Sequence, residues 1–295
     1  MRKQTFHLTV EGRVTLTAYL IEDSQEMTNW EKRPAVLVLP GGGYSSTSAR
    51  EADPIAFHFL AQGFHTFVLH YSVAEHGAFP APFIDASRAM QIIREHAEEW
   101  RLDADRLALC GFSAGGHLAA SLGTMWNDPQ LIEAAGIQEG DNKPNALILG
   151  YPVITCKDDT TGALQGMWNI ARGEHSLERM RDRLCCELHV GIHTPPAFIF
   201  HTFMDHIVPV EHSLIFAQAL AKHDVPFAMH IFPNGVHGMA LGNEITAAGR
   251  QNLIDSDAGG WMSLSTAWLW RLFEMGEALA LHERANIAIP RAKLK

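Results

Sequence analysis

Residues 109–117 read Leu109-Cys110-Gly111-Phe112-Ser113-Ala114-Gly115-Gly116-His117, and this stretch decides the fold. Ahead of it, Leu107 to Cys110 is a short apolar run, the mark of a strand buried on both faces. Behind it, Ala114 to Leu122 is rich in small residues and reads as the opening of a helix. Between strand and helix stands Gly111-x-Ser113-x-Gly115. A serine on so tight a turn is held in a strained backbone, and a side chain at either flanking position would collide with neighbouring strands. The turn lifts the hydroxyl out of the sheet and aims the helix N-terminus at any negative charge formed there. The pattern alone is weakly specific: three fixed positions recur by chance in about one chain in ten of this length. The surrounding sequence has to carry the reading.

Upstream, Phe6 to Val10 and Val14 to Ile21 alternate polar and apolar residues and meet at Glu11-Gly12, which predicts an antiparallel hairpin at a sheet edge. Ala35 to Leu39 is a second doubly buried strand, ending in Pro40-Gly41-Gly42-Gly43-Tyr44. Glu51 to Gln62 reads as a helix stopped by Gly63, and Phe67 to Leu69 as the next strand. A long helix follows Pro80 and Pro82, with Phe83, Ala86, Met90, Ile93, Ala97 and Trp100 on one face. Downstream, Ala146 to Leu149, Ala197 to Phe200 and Phe227 to Phe232 continue the strands. Pro209 is placed to open a helix through Leu214, Ala217 and Leu220, and a final helix carries Trp261, Leu264, Trp268, Leu272, Met275 and Leu279 on one face.

Strands alternating with helices predict an α/β fold: a mostly parallel sheet with helices on both faces and the functional site at the C-terminal strand ends. The rhythm breaks from Val153 to Thr194, a polar stretch with weak helical periodicity that includes Met167, Trp168, Cys185 and Cys186. A segment of that length between two strands is expected to cover something, so residues 153–194 read as a cap inserted into one domain spanning 1–295.

Composition narrows the function classes. The chain has 295 residues and a net charge of -10, with 47% hydrophobic and 19% charged residues, the balance of a globular protein with a sizeable core. The acidic balance and the lack of a basic cluster argue against a nucleic-acid partner. No apolar run reaches membrane-spanning length, and no apolar region follows the basic N-terminal residues as a signal peptide requires. Four cysteines in so long a chain do not make a disulfide framework. A reducing cytoplasm is the expected location. The oligomeric state is open, and a homo-oligomer is compatible with the composition.

Three strand ends carry the chemistry. Ser113 follows one strand, Asp205 lies in the loop after Ala197 to His201, and His237 follows Phe227 to Phe232. The order Ser, Asp, His, with both partners after the last two strands, is that of the α/β-hydrolase fold. A serine hydroxyl is a poor nucleophile until a base removes its proton. His237 would supply the base, and Asp205 would fix its tautomer and stabilise the imidazolium. Each also has a plain reading: Asp205 as a turn or helix-capping residue, His237 as one of 17 histidines in a solvated loop. His117, one turn beyond Ser113, reads as a helix residue that holds the turn. His201 and His206 flank Asp205 and invite a metal, but no H-E-x-x-H or paired-cysteine spacing supports one, and no cofactor is expected. The glycines after Pro40 let a backbone approach a tetrahedral oxyanion closely; Gly42, Gly43 and the Ala114 N–H are the expected donors. The loop lacks the Lys-Ser/Thr of a phosphate-binding P-loop.

At this point the chain resembles the acetyl-xylan-esterase-like group of α/β-hydrolases, related to hormone-sensitive-lipase-type esterases. The resemblance spans nearly the whole chain. It rests on Leu39-Pro-Gly-Gly-Gly-Tyr44, on residues 62–72, on 111–121, on Gly150-Tyr-Pro-Val-Ile-Thr155, on Thr194-Pro-Pro-Ala-Phe198, and on Asp205 through Leu214 and Phe232-Pro-Asn-Gly-Val-His-Gly238. It implies a serine esterase with Ser113, Asp205 and His237 as triad, acting on short acyl esters such as acetyl groups on sugars. One departure is Pro40, where the lipase-type relatives carry a histidine. Two alternatives stand beside this reading: a general carboxylesterase, amidase or peptidase on the same fold, and a non-catalytic ligand-binding protein of that fold.

Overall fold

The computed structural model describes residues 1–26, 31–156, 163–171 and 177–283. In chain order the elements are β1 (Arg2–His7), β2 (Thr15–Leu20), β3 (Arg33–Leu39), α1 (Asp53–Ala61), β4 (His65–His70), α2 (Ala81–Glu95), α3 (Ala97–Trp100) and β5 (Leu102–Phe112). There follow α4 (Ala114–Met125), α5 (Pro129–Ala135), β6 (Ala146–Gly150), α6 (Ala163–Ile170), α7 (Leu177–Leu184), β7 (Ala197–Thr202), α8 (Glu211–Lys222), β8 (Phe227–Phe232), α9 (Ser256–Gly259) and α10 (Trp261–Glu283). The eight strands form one sheet in the order β1-β2-β4-β3-β5-β6-β7-β8. β1 and β2 pair antiparallel at the edge, β2 pairs antiparallel with β4, and every pairing from β4 to β8 is parallel. The expected edge hairpin is therefore present, with its first strand beginning nearer the N-terminus.

The doubly buried strands explain the two cores. Along β3, Ala35, Leu37 and Leu39 point into one cluster and Val36 and Val38 into the other. The first cluster takes Phe83, Met90 and Ile93 of α2, Leu118 and Leu122 of α4, and Phe216 and Leu220 of α8. The second takes Ile55 and Phe59 of α1 and Trp261, Leu269 and Phe273 of α10. Helices thus cover both faces of the sheet, as a two-sided apolar strand requires.

Two helical expectations shift. The helix after Pro80 breaks at His96, whose backbone N–H and ring Nδ1 both engage Ile92 O (3.2 and 2.9 Å), although Ala97 and Trp100 still lie on the same buried face as Phe83. In α10 the buried line runs through Trp261, Ser265, Leu269 and Phe273, whereas Leu264 is 40% exposed. Ser265 can be buried because its hydroxyl donates to Met262 O. Trp268 and Trp270 reach sideways to Phe198 and Phe64. The side chains of Met275 and Leu279 lie outside the described residues.

The order in which strands are added reverses around β3 and β5. From β3 the chain steps to β4 on one side, and β5 lies on the other, so the loops after Leu39 and Phe112 leave adjacent strand ends at the switch point of the sheet. Segment 153–194 lies between β6 and β7; residues 157–162 and 172–176 within it lie outside the described ones. Its described part supplies α6 and α7. The Phe79 N–H donates to Ile170 O, and Asn169 Nδ2 donates to Gly43 O at 2.7 Å, so α6 sits against the glycine loop after β3. No helix among the described residues is long and apolar enough to cross a membrane.

Candidate active site

Ser113 is the site's most constrained residue. Its φ of 52° and ψ of -118° lie outside the regions an L-residue ordinarily occupies. Three bonds hold it there. Its N–H donates to Gly150 O at 3.0 Å, and its carbonyl accepts from the N–H of Val153 (3.2 Å) and of His117 (3.0 Å). The flanking glycines are steric necessities. A Cβ on Gly111 would lie 2.2 Å from Gly115 O, and one on Gly115 would lie 2.1 Å from Leu39 O. Helix α4 therefore sits directly on the ends of β3 and β5, with the Ser113 hydroxyl above them.

The Ser113 hydroxyl meets His237 Nε2 at 2.8 Å, and His237 Nδ1 meets Asp205 Oδ2 at 2.6 Å. Residues separated by 124 and 32 positions in sequence are thus joined in one hydrogen-bonded line. Asp205 is buried, and its Oδ1 accepts the N–H groups of Ile207 (3.0 Å) and Val208 (2.9 Å). Burial alone would raise its carboxyl. Hydrogen bonds from His201 and His237, the neighbouring imidazole charge and the Val208 N–H outweigh that and hold it well below the usual carboxylate range. A carboxylate ionised at all working pH values accepts the His237 Nδ1–H, which leaves Nε2 as the acceptor facing Ser113. His201 Nε2 lies 3.5 Å from Asp205 Oδ2, and the same ring also meets Ser213 Oγ at 2.7 Å and Val208 O at 2.9 Å, while His206 is exposed.

The glycine loop after β3 has two left-handed glycines, Gly42 (φ 135°) and Gly43 (φ 61°). At Gly42 a Cβ would stand 2.1 Å from Ser46 O, so the tight turn admits no side chain. Among the described residues no backbone carbonyl accepts from the N–H of Gly42, Gly43 or Ala114. All three residues line the cleft of about 280 Å³ that contains Ser113 and His237. Val153, Gly166, Ile207 and Val208 add an apolar side.

A surrounding layer fixes this loop, and the sequence singles out only one of its members. Buried Glu51 accepts the Gly41 N–H on Oε2 (2.9 Å) and the Tyr151 hydroxyl on Oε1 (2.7 Å). The Tyr151 oxygen in turn accepts the Ala240 N–H at 3.0 Å, which ties the loop after His237 to the loop after β3. Arg50 Nη1 donates to Gly238 O (2.7 Å) and Thr246 O (3.1 Å). Tyr71 donates to Pro40 O at 2.6 Å, in the loop where the lipase-type pattern has a histidine. His117, read from sequence as holding the turn, is fully buried. Its Nε2 donates to Leu184 O (2.8 Å), so its Nδ1 accepts from the Tyr44 hydroxyl (2.7 Å). Burial lowers its pKa to about 4, which keeps it neutral and without a path to Ser113 as a base.

The described part of the segment between β6 and β7 contributes packing. Trp168 is 54% exposed, while Cys156, Cys185 and Cys186 are buried free thiols. Cys185 Sγ accepts the Cys156 N–H at 3.1 Å, and the Cys186 N–H donates to Ile154 O, which anchors the end of α7 beneath the loop after β6.

A mostly parallel sheet with a strained serine at its switch point defines the class: this is an α/β-hydrolase. More narrowly, the chain belongs to the BD-FAE family, whose profile matches residues 24–220. Two curated relatives place it further. It is 34% identical over 239 residues to endo-1,4-beta-xylanase B of Butyrivibrio fibrisolvens, covering 78% of this chain and 35% of that protein. It is 26% identical over 264 residues to an acetylxylan esterase of Xylanibacter ruminicola, covering 88% of this chain and 50% of that protein. The chain thus spans between a third and a half of the length of these relatives. Among solved structures, the α/β-hydrolase enzyme MGS-M1 from a Medee basin deep-sea metagenome library is 37% identical. It superposes with a TM-score of 0.75, covering 93% of this chain and 98% of that one.

Proposed function

We propose that the chain is a serine carboxylic ester hydrolase that removes short acyl groups, with O-acetyl groups on carbohydrates as the substrate class. The observation that carries this is the Ser113–His237–Asp205 line opening onto a cleft with three backbone N–H groups that have no backbone carbonyl acceptor among the described residues. Ser113 Oγ attacks the ester carbonyl while His237 Nε2 takes its proton. The Gly42, Gly43 and Ala114 N–H groups receive the oxyanion. The C–O bond to the alcohol breaks as His237 returns the proton to the leaving oxygen, leaving an acyl-Ser113 ester. A water then attacks that ester, giving its proton through His237 to Ser113 Oγ, and the carboxylic acid departs. Asp205 stays ionised and stabilises the imidazolium throughout.

A cleft of about 280 Å³ suits an acetyl group and part of one sugar ring better than a long acyl chain. Residues 153–194 act as a cap within one hydrolase domain, with Gly166 and Asn169 bearing on Gly43. A relative bears the name of a xylanase, yet glycoside cleavage uses two working carboxylates. The cleft lining includes one, Glu51, and both of its oxygens are engaged by Gly41 and Tyr151.

The test is acetate release from acetylated xylo-oligosaccharides, beside p-nitrophenyl esters of increasing acyl length, with Ser113→Ala as control. The expected result is acetate release, aryl-ester activity collapsing beyond short acyls, and a folded control at least about 10⁴-fold slower. Activity that persists in Ser113→Ala would overturn the mechanism. Activity on aryl esters alone would overturn the carbohydrate assignment.

A further inference from the structure

Arg50, Glu51, Gly238 and Arg250 line the cleft that holds Ser113 and His237, and Gly238 follows His237 directly in the chain. The first two charges have partners inside the protein: Arg50 on Gly238 O and Thr246 O, Glu51 on the Gly41 N–H and the Tyr151 hydroxyl. Arg250 differs. It is exposed, and among the described residues its guanidinium makes no hydrogen bond and no ion pair. Its backbone is nevertheless fixed: its N–H donates to Ala247 O at 3.0 Å, and its carbonyl accepts the Leu253 N–H at 3.1 Å. Through Thr246, Arg50 fastens this loop to the one that carries His237. The result is a cation without an acceptor among the described residues, held at the cleft of a chain whose net charge is -10.

The side of the cleft matters. In ester cleavage His237 protonates the leaving oxygen, so the alcohol half of the substrate lies on the His237 side. Gly166 and Val153 line the same cleft as the oxyanion donors Gly42, Gly43 and Ala114 and suit the acyl half. We infer that Arg250 is a specificity-determining residue that selects esters whose alcohol half carries a carboxylate, the chemistry of an acetylated sugar with a uronic acid group. The planar fork of an arginine fits a carboxylate with two parallel hydrogen bonds. The inference rests on the esterase reading above. Because Arg250 is solvent-exposed, its effect is moderate and is screened by salt.

The experiment compares acetate release from O-acetylated methyl glucuronoside, ionised at neutral pH, with release from O-acetylated methyl glucoside, its uncharged counterpart. The wild-type chain is expected to show a KM lower by about five- to tenfold for the glucuronoside, with similar kcat, and the difference shrinks as salt is added. In Arg250→Gln the ratio of the two KM values falls to near one, and in Arg250→Glu it inverts. A wild-type ratio near one, or a ratio unchanged in Arg250→Gln, overturns the inference. A parallel measurement separates it from the esterase reading: calorimetric binding of methyl glucuronoside and methyl glucoside to Ser113→Ala, with and without Arg250→Gln. Absence of acetate release from both esters while the charged sugar still binds through Arg250 would refute the carbohydrate-esterase reading and leave Arg250 as an anion site. Equal binding of both sugars would refute the Arg250 assignment whatever the turnover.

Discussion

Ser113 carries its strain because its neighbours leave it no alternative. Gly150, Val153 and His117 bind its backbone, and the glycines at 111 and 115 close off any relaxation that needs space. Two histidines in the same architecture have a measurable consequence. Burial lowers His117 and His65 from the ordinary 6.5 to about 4. Between those values the unfolded chain binds protons that the folded chain refuses. The stability tied to each imidazole is therefore complete above pH ~6.5 and declines as pH falls towards ~4, by about 2 kcal/mol per histidine at pH ~5. Urea unfolding at neutral pH and at pH ~5 should show this loss. His117→Gln should flatten the decline by its share, while lowering stability at neutral pH through the lost Tyr44 and Leu184 contacts. An unchanged pH dependence in His117→Gln would count against a neutral buried imidazole.

At this scale the sequence was informative where chemistry and chain order coincide. Ser113, Asp205 and His237 each follow a recognisable strand, and their residue types admit few joint uses. Glu51, Arg50 and Tyr151 were not legible. Glu51 sits in an ordinary helical stretch, and its importance arises from partners up to 100 positions away. Arg50 acts on residues 188 and 196 positions away. Local pattern holds no trace of such contacts.

Among the elements, the tight junction of β3, β5 and α4 is the most demanding. The Cβ that alanine would add at Gly115 meets the backbone carbonyls of Leu39 and Pro40, at 2.1 and 2.5 Å, and backbone cannot swing aside. Gly115→Ala is expected to cost more than about 3 kcal/mol or to prevent folding. Gly136 caps α5 at φ 66° with nothing within 4 Å of its Cβ position. Gly136→Ala should cost only about 1 kcal/mol, the penalty of left-handed backbone for an L-residue. Denaturant midpoints of the two variants test the contrast, and equal losses would contradict it. The strands were the legible elements, because a doubly buried strand is a short apolar run that few other structures require. Helix α5 has its signals in plain sight, an Asp128 cap accepting from the Gln130 and Leu131 N–H groups, Pro129 at its first position and Gly136 at its end. It is too short for periodicity to reveal it. The face of α10 was misjudged by sequence because large apolar residues outvoted Ser265, whose hydroxyl is satisfied within the helix.

For the whole molecule, alternation of strands and helices was enough to predict a mostly parallel sheet covered on both faces, but not its strand order. That order matters most for function. By setting β3 between β4 and β5, it brings the glycine loop and the Ser113 turn side by side, and the loops after β7 and β8 then carry Asp205 and His237 to the same end of the sheet. The central claim is that this end holds an activated serine. It is tested most directly by treating the protein with a p-nitrophenyl alkylphosphonate and reading the intact mass and the modified peptide. The account predicts one equivalent of phosphonate on Ser113, none on Ser113→Ala, and labelling slowed by orders of magnitude in His237→Ala. A folded protein that takes up no phosphonate, or takes it up on another residue, would contradict it.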